Sequence, residues 1–123
     1  MTAQEIFDKV WHHMSTQKVQ SLSKTGNCAY RGDNGMACAV GCLLDDETAH
    51  NFDDMDNASI EWIDQHHKNI IPEELRSHVE LMYKLQLAHD INSTVNPWTL
   101  EIFQERARKI ANKFGLTVPE VVQ

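Results

Sequence analysis

Apolar side chains recur every three to four positions along most of the chain, and the places where that rhythm fails separate a set of amphipathic helices from one exceptional central stretch. Ile6, Phe7, Val10, Trp11 and Met14 share one helical face, which Val19 and Leu22 continue less regularly, so a first helix is expected over roughly residues 3–22. Thr2 and Glu5 have the capping-box spacing at its start, each side chain able to take an unpaired backbone N–H of the other. Ser23 to Asn27 are turn formers.

Ile60, Trp62 and Ile63 give a short helix through about His67, capped by Asp56 or Asn57. Pro72 suits the first position of the next helix, with Glu73 and Glu74 in its negatively charged first turn. Leu75, Val79, Met82, Leu85 and Ala88 make its face, and Leu81, Tyr83 and Leu87 widen it, which predicts contacts on more than one side over roughly 72–91. Asn96 and Pro97 open the last helix, whose stripe of Leu100, Phe103, Ala107, Ile110 and Phe114 is the cleanest in the chain; Gly115 ends it. Val118, Pro119, Val121 and Val122 form a short tail.

The stretch from Cys28 to Leu44, CAYRGDNGMACAVGCLL, breaks this pattern and holds all three cysteines. Cys28–Arg31 and Met36–Ala39 read as two short strands joined by Gly32-Asp33-Asn34-Gly35, a hairpin turn through the Asn-Gly pair. The almost wholly small or apolar Cys38–Leu44 run suits a buried short helix, whose backbone approaches a neighbour at Ala39 and Gly41, or a buried strand. The expected architecture is therefore mainly α: one domain over residues 1–123, about four helices, and a short β-hairpin or ordered loop between the first and second.

Charge changes the picture. The formal net charge is −7, and between Gly32 and His67 there are nine acidic residues and no Lys or Arg. Such a field disfavours extended nucleic-acid contact and favours a protein partner with a basic surface. Asp45, Asp46, Glu47, Asp53, Asp54 and Asp56 read as a solvated acidic loop presented to that partner. They do not make a calcium loop, since counting from Asp45 the sixth position lacks glycine and the twelfth is Asp56 rather than glutamate. Tyr30 and Arg31 stand beside the turn, where Arg31 either contacts an anionic ligand or holds Asp45, Asp46 or Glu47 in an ion pair.

Three readings of the cysteines stay open. Cys28, Cys38 and Cys42 with His50, His66 or His67 match the three-sulfur, one-nitrogen composition of a tetrahedral zinc site, although gaps of nine and three residues are not zinc-knuckle spacing. A thiol nucleophile served by His50 or His89, with Asp90 or Asp45 behind it, is the second. The third is a buried core without chemistry, leaving the chain without a cofactor. The odd cysteine count speaks against a complete disulfide framework, and the start MTAQEIFDKVW and the absence of any roughly 20-residue apolar run predict a cytoplasmic protein without a membrane span. His12 and His13, like His66 and His67, are adjacent and diverge by about 100° on a helix, so neither pair is a two-ligand metal motif. Gln86, His89 and Asp90 cluster at the end of their helix as a polar cap or a catalytic histidine.

CAYRGDNGMACAVGCLL, followed by DDE, LQLAHD and a Trp-containing final helix, resembles a group of small uncharacterised proteins of bacteria and bacteriophages. The resemblance implies an accessory protein or inhibitor acting on a host component and assigns no residue a role. Two function classes follow: a protein-interaction or regulatory module using the acidic surface, and a small enzyme or ligand- or metal-binding sensor built on Cys28–Cys42 with Arg31. The surplus apolar face of the 72–91 helix leaves room for a homodimer.

Overall fold

The capping box at the amino terminus forms as the Thr2–Glu5 spacing requires. In the computed structural model of the chain, Glu5 N donates to Thr2 Oγ1 at 3.1 Å and Thr2 N donates to Glu5 Oε1 at 2.8 Å. The structure describes residues 1–21, 29–32, 36–55, 59–90 and 98–119. From this cap α1 runs Ala3–Gln17 and buries Ile6, Phe7, Val10, Trp11 and Met14. It stops short of residue 22 because Lys18 turns left-handed, at φ 68°, and returns its N–H to Met14 O at 2.8 Å. A lysine in that conformation leaves no glycine to mark the stop in the sequence.

Three further helices lie near their expected places. α3 (Ile60–His67) buries Ile60 and Ile63, α4 (Val79–Asp90) buries Leu81, Met82, Leu85 and Ala88, and α5 (Leu100–Phe114) buries Phe103, Ala107 and Ala111. α1, α4 and α5 pack on one another, and α3 packs against α4, so the apolar stripes close on a single core. The extra apolar positions of α4 are used on two sides, against α3 and α5.

The caps differ from expectation. Ser59 caps α3 by accepting from Trp62 N at 3.1 Å, and Thr99 caps α5 by accepting from Ile102 N at 3.2 Å. Asp56, Asn57, Asn96 and Pro97, the expected starts, lie outside the described residues. The helix expected over 72–91 begins as a 3₁₀ segment, Glu73–His78, before becoming α-helical at Val79. Gly115 ends α5 at φ 68°, as its position predicts.

The largest difference is a fifth helix. α2 (Asp46–Asp53) occupies the stretch expected to be a solvated acidic loop. Asp45 caps it by accepting from Thr48 N at 2.7 Å, Asp46 and Glu47 sit where carboxylates favour the amino end of the helix dipole, and Ala49 and Phe52 are fully buried. Two apolar positions in eight residues give no visible period, whereas the acids are conspicuous. They help start the helix.

Between Ala29 and Leu44 the described residues hold no strand, only an antiparallel bridge between Arg31 and Ala37, with Gly32 N donating to Met36 O at 2.9 Å. The Asn34-Gly35 turn lies outside the described residues. The small-residue run makes one tight turn: Cys42 N donates to Cys38 O at 3.0 Å, and Gly41–Leu43 is 3₁₀ and packs on α1. The tail is tied back by Gln4, whose side-chain amide exchanges two hydrogen bonds with Thr117, at 2.8 and 2.9 Å. Among the described residues no helix is long and apolar enough to cross a membrane.

Candidate functional site

The Tyr30–Arg31 dipeptide meets the end of α2 through backbone groups. Tyr30 N donates to Asp53 Oδ1 at 2.9 Å and Arg31 N donates to Asp53 Oδ2 at 3.0 Å, so one carboxylate takes two successive amides. Tyr30 is buried, with its ring edge-on to Phe52 at 5.2 Å between centroids. Asp53 is thus committed inside the fold. It joins α2 to the Tyr30–Arg31 segment.

Arg31 is committed as well. Its guanidinium donates to Gly41 O at 2.5 Å, Leu44 O at 2.8 Å and Tyr30 O at 3.3 Å, and Nε donates to Asp46 Oδ1 at 3.1 Å. The first two acceptors are carbonyls of the small-residue turn, so the planar fork closes that turn as it pairs with α2. Of the two readings of Arg31, the ion pair is the one seen. Gly41 makes this closure possible, because a Cβ there would lie 2.2 Å from Tyr30 O.

The remaining acids face outward. Asp45, Asp46, Glu47 and Asp54 are all exposed, and the Asp46 side chain is 98% accessible even while it meets Arg31. His50, also exposed, lies 3.5 Å from Asp54 on the outer face of α2. The Thr48 amide holds the Asp45 carboxyl below the usual carboxylate range. Asp56 lies outside the described residues.

Cys38 is buried, accepting from Gly41 N at 3.2 Å, and Cys42 is partly buried, its thiol donating to Ala39 O at 3.1 Å. Burial pushes the Cys38 thiol strongly up and the Cys42 thiol up to about 12, against an ordinary value of 9.0. Both are therefore held as neutral thiols, the opposite of the low-pKa environment a nucleophilic cysteine needs. Cys28 lies outside the described residues, His50 is on the exposed face of α2, and no three His, Cys, Asp or Glu side chains converge to hold a metal among the described residues.

These burial shifts have a consequence in alkali. The unfolded chain releases its thiol protons from about pH 9 while the folded chain retains them, so the unfolded state gains and stability falls as pH rises. The thiol contribution should be flat below about pH 9 and then cost up to about tenfold in the folding equilibrium per pH unit for each thiol. Tyr30, whose phenol is also pushed up by burial from 10.0, adds to the slope above pH 10. Denaturant titrations at successive pH values read this directly, and Cys38→Ala should remove one proton's share.

A second polar group lies behind α4. His89 is fully buried, with Nδ1 2.6 Å from Asp90 Oδ1 and Nε2 accepting from Ser21 N at 3.0 Å. Gln86 Nε2 donates to Asp90 Oδ1 at 2.6 Å, and Gln86 Oε1 accepts from Val40 N at 2.9 Å. The cluster reaches the chain beyond α1 and the cysteine turn, while the loop following α4, which it was expected to cap, lies outside the described residues. On the other side of that turn, Gln17 takes Ala37 N at 2.9 Å and donates to Ala37 O at 3.0 Å, and His13 Nε2 lies 2.9 Å from the same carbonyl. The sequence assigns Gln17 no role and groups Gln86 with His89 and Asp90, as the 2.6 Å bond to Asp90 bears out, but does not point to Val40. A glutamine at the margin of an apolar stripe carries no signal of what it will bond in a distant segment.

The structure therefore brings Tyr30, Arg31, Asp46 and Asp53 together as a scaffold and leaves Asp45, Asp46, Glu47 and Asp54 as an acidic outer face. Comparison of the chain with protein-family models, curated proteins and solved structures gives no match.

Proposed function

We propose that the chain is a protein-interaction or regulatory module that presents the outer face of α2 to a basic surface of a partner, in keeping with an accessory protein or inhibitor of a host component. The observation that carries this reading is the division of labour among the acids. Asp53 and Arg31 fix α2 to the domain, while Asp46, Glu47 and Asp54 keep their carboxylates in solvent on a short anchored helix. Charges held this way steer and orient a cationic partner with little ordering cost on binding. The alternative, an enzyme or sensor using Arg31 and the cysteines, draws less support because the guanidinium is spent on backbone carbonyls and Asp46, and Cys38 and Cys42 are held neutral.

Fluorescence anisotropy with a labelled lysine-rich peptide tests the reading. Glu47→Lys with Asp54→Lys should weaken binding by roughly tenfold at low salt and flatten its dependence on ionic strength, at a cost in stability of no more than about 1 kcal/mol, from the reversed charge in the first turn of α2. A wild-type protein that binds the lysine-rich peptide no better than a neutral one, or a double variant that binds it equally well, would overturn the reading.

A further inference from the structure

The chain has three tryptophans, and two of them are spent inside the fold. Trp11 is buried with the Arg108 guanidinium over its ring, 5.4 Å from the centroid, and Trp98 packs beside Phe103 at 6.2 Å between centroids. Trp62 differs. It is 41% exposed, on a helix whose Ile60 and Ile63 supply the buried face. Its ring is nevertheless held in place, because His66 stacks on it at 4.3 Å with 16° between the planes and His67 stands tilted beside it at 5.6 Å. The His66 ring is fixed in turn by its Nδ1–H, which donates to Trp62 O at 3.0 Å. An indole ordered in advance loses little freedom when a ligand settles on it.

The surroundings set the charge of that ligand. Between Gly32 and His67 stand nine acidic residues and no Lys or Arg. Glu61, next to Trp62, is exposed, while Lys68, the first lysine after this stretch, pairs with Asp64 at 3.7 Å. Asp54 at the end of α2 is five residues before Ser59, the cap of α3, so their Cα atoms lie within about 20 Å of each other by chain length alone. A ten-residue extended peptide, about 34 Å long, is long enough to meet both the acids of α2 and Trp62.

We propose that Trp62 is the docking point for an arginine side chain of the basic partner, with the guanidinium stacked on the indole while neighbouring basic residues meet the α2 carboxylates. This rests on the acidic-face reading above and adds to it a choice of arginine over lysine. A guanidinium is planar and weakly hydrated, so it lies flat on an aromatic face and still presents N–H donors at its rim, whereas an ammonium is a strongly hydrated point charge. Arg108 over Trp11 is the same pairing made within the chain. Among the described residues Trp62 has no Lys or Arg over its ring.

Anisotropy on the full chain with two labelled ten-residue peptides of equal charge, one arginine-rich and one lysine-rich, tests the proposal. The wild type should bind the arginine peptide more tightly. Trp62→Leu, which keeps an apolar helix former, should weaken the arginine peptide by about two- to fivefold and leave the lysine peptide unchanged, and Trp62→Phe should recover part of the loss. Unchanged lysine-peptide binding also shows that the variants keep their fold and their α2 face. In ¹H–¹⁵N spectra the Trp62 indole N–H should shift on addition of the arginine peptide while that of Trp11 stays. Trp62→Leu binding both peptides as the wild type does, weakening of both to the same extent, or an indole signal unmoved by arginine would overturn the proposal and leave the acidic-face reading standing. A dimer of the free protein that Trp62→Leu dissolves would overturn it by making a second copy the occupant. A wild type that binds neither peptide better than a neutral one would overturn both.

Discussion

Gly41→Ala is expected to cost on the order of 3 kcal/mol or more, far beyond the usual effect of adding one methyl group. The added Cβ would lie 2.2 Å from Tyr30 O, 3.0 Å from Tyr30 C and 3.1 Å from Tyr30 Cα, all of them backbone atoms. No side-chain rotation relieves that overlap. Tyr30 itself is pinned, by its N–H on Asp53, its ring against Phe52 and its carbonyl on Arg31. Retreat of the small-residue turn would instead pull Gly41 O and Leu44 O from the guanidinium. Gly115→Ala provides the comparison: that glycine has φ 68° but nothing within 4 Å of a Cβ, so only the left-handed conformation is penalised, by about 1 kcal/mol. Denaturant unfolding of the two variants side by side should separate them by 2 kcal/mol or more, by order of magnitude about. Equal losses would show that the Tyr30–Gly41 approach offers no resistance to an added methyl group.

The legible and illegible parts of this chain differ in how far each signal reaches. The faces of α1, α3, α4 and α5 were open to inspection because burial of one side of a helix repeats every turn, and Thr2, Glu5 and Gly115 punctuate their ends with local chemistry. The close approach at Gly41 was also visible, since an unbroken run of small residues has few other uses. α2 was hidden because Ala49 and Phe52 supply its only fully buried positions, and a carboxylate-rich stretch looks the same whether its acids hydrate a loop or start a helix. The end of α1 was hidden because a left-handed lysine leaves no mark in the sequence. The candidate site was visible as a set of residues but not as an arrangement. Arg31 paired with an acid as one reading held, yet nothing local distinguishes Asp53, which serves two amides, from Asp54, which faces water. Pairings such as Gln86 with Val40 or Gln17 with Ala37 join positions far apart in the chain, and no periodicity encodes them.

That difference between neighbouring acids gives the second large effect. Asp53→Asn should destabilise the domain by about 2–3 kcal/mol, and Asp53→Ala by somewhat more, whereas Asp54→Asn should stay within about 0.5 kcal/mol of wild type. Asparagine keeps one carbonyl oxygen for Tyr30 N or Arg31 N and turns an NH₂ donor toward the other N–H, so one amide loses its acceptor and the charge assistance goes with it. Alanine strands both amides and unties α2 from the dipeptide that carries Arg31. The helix would then keep its cap at Asp45 and its buried Phe52, but lose the attachment nearest its carboxyl end. Chemical unfolding of the three variants reads these costs, and equal midpoints for Asp53→Asn and Asp54→Asn would show that the two-amide clamp contributes nothing. The same series guards the interpretation of any binding experiment. Loss of a basic partner in Asp53→Asn should accompany about 2–3 kcal/mol of lost stability, because α2 is no longer held, while loss in Glu47→Lys with Asp54→Lys should come with at most about 1 kcal/mol, the helix-dipole share of Glu47, because those carboxylates act chiefly on the partner.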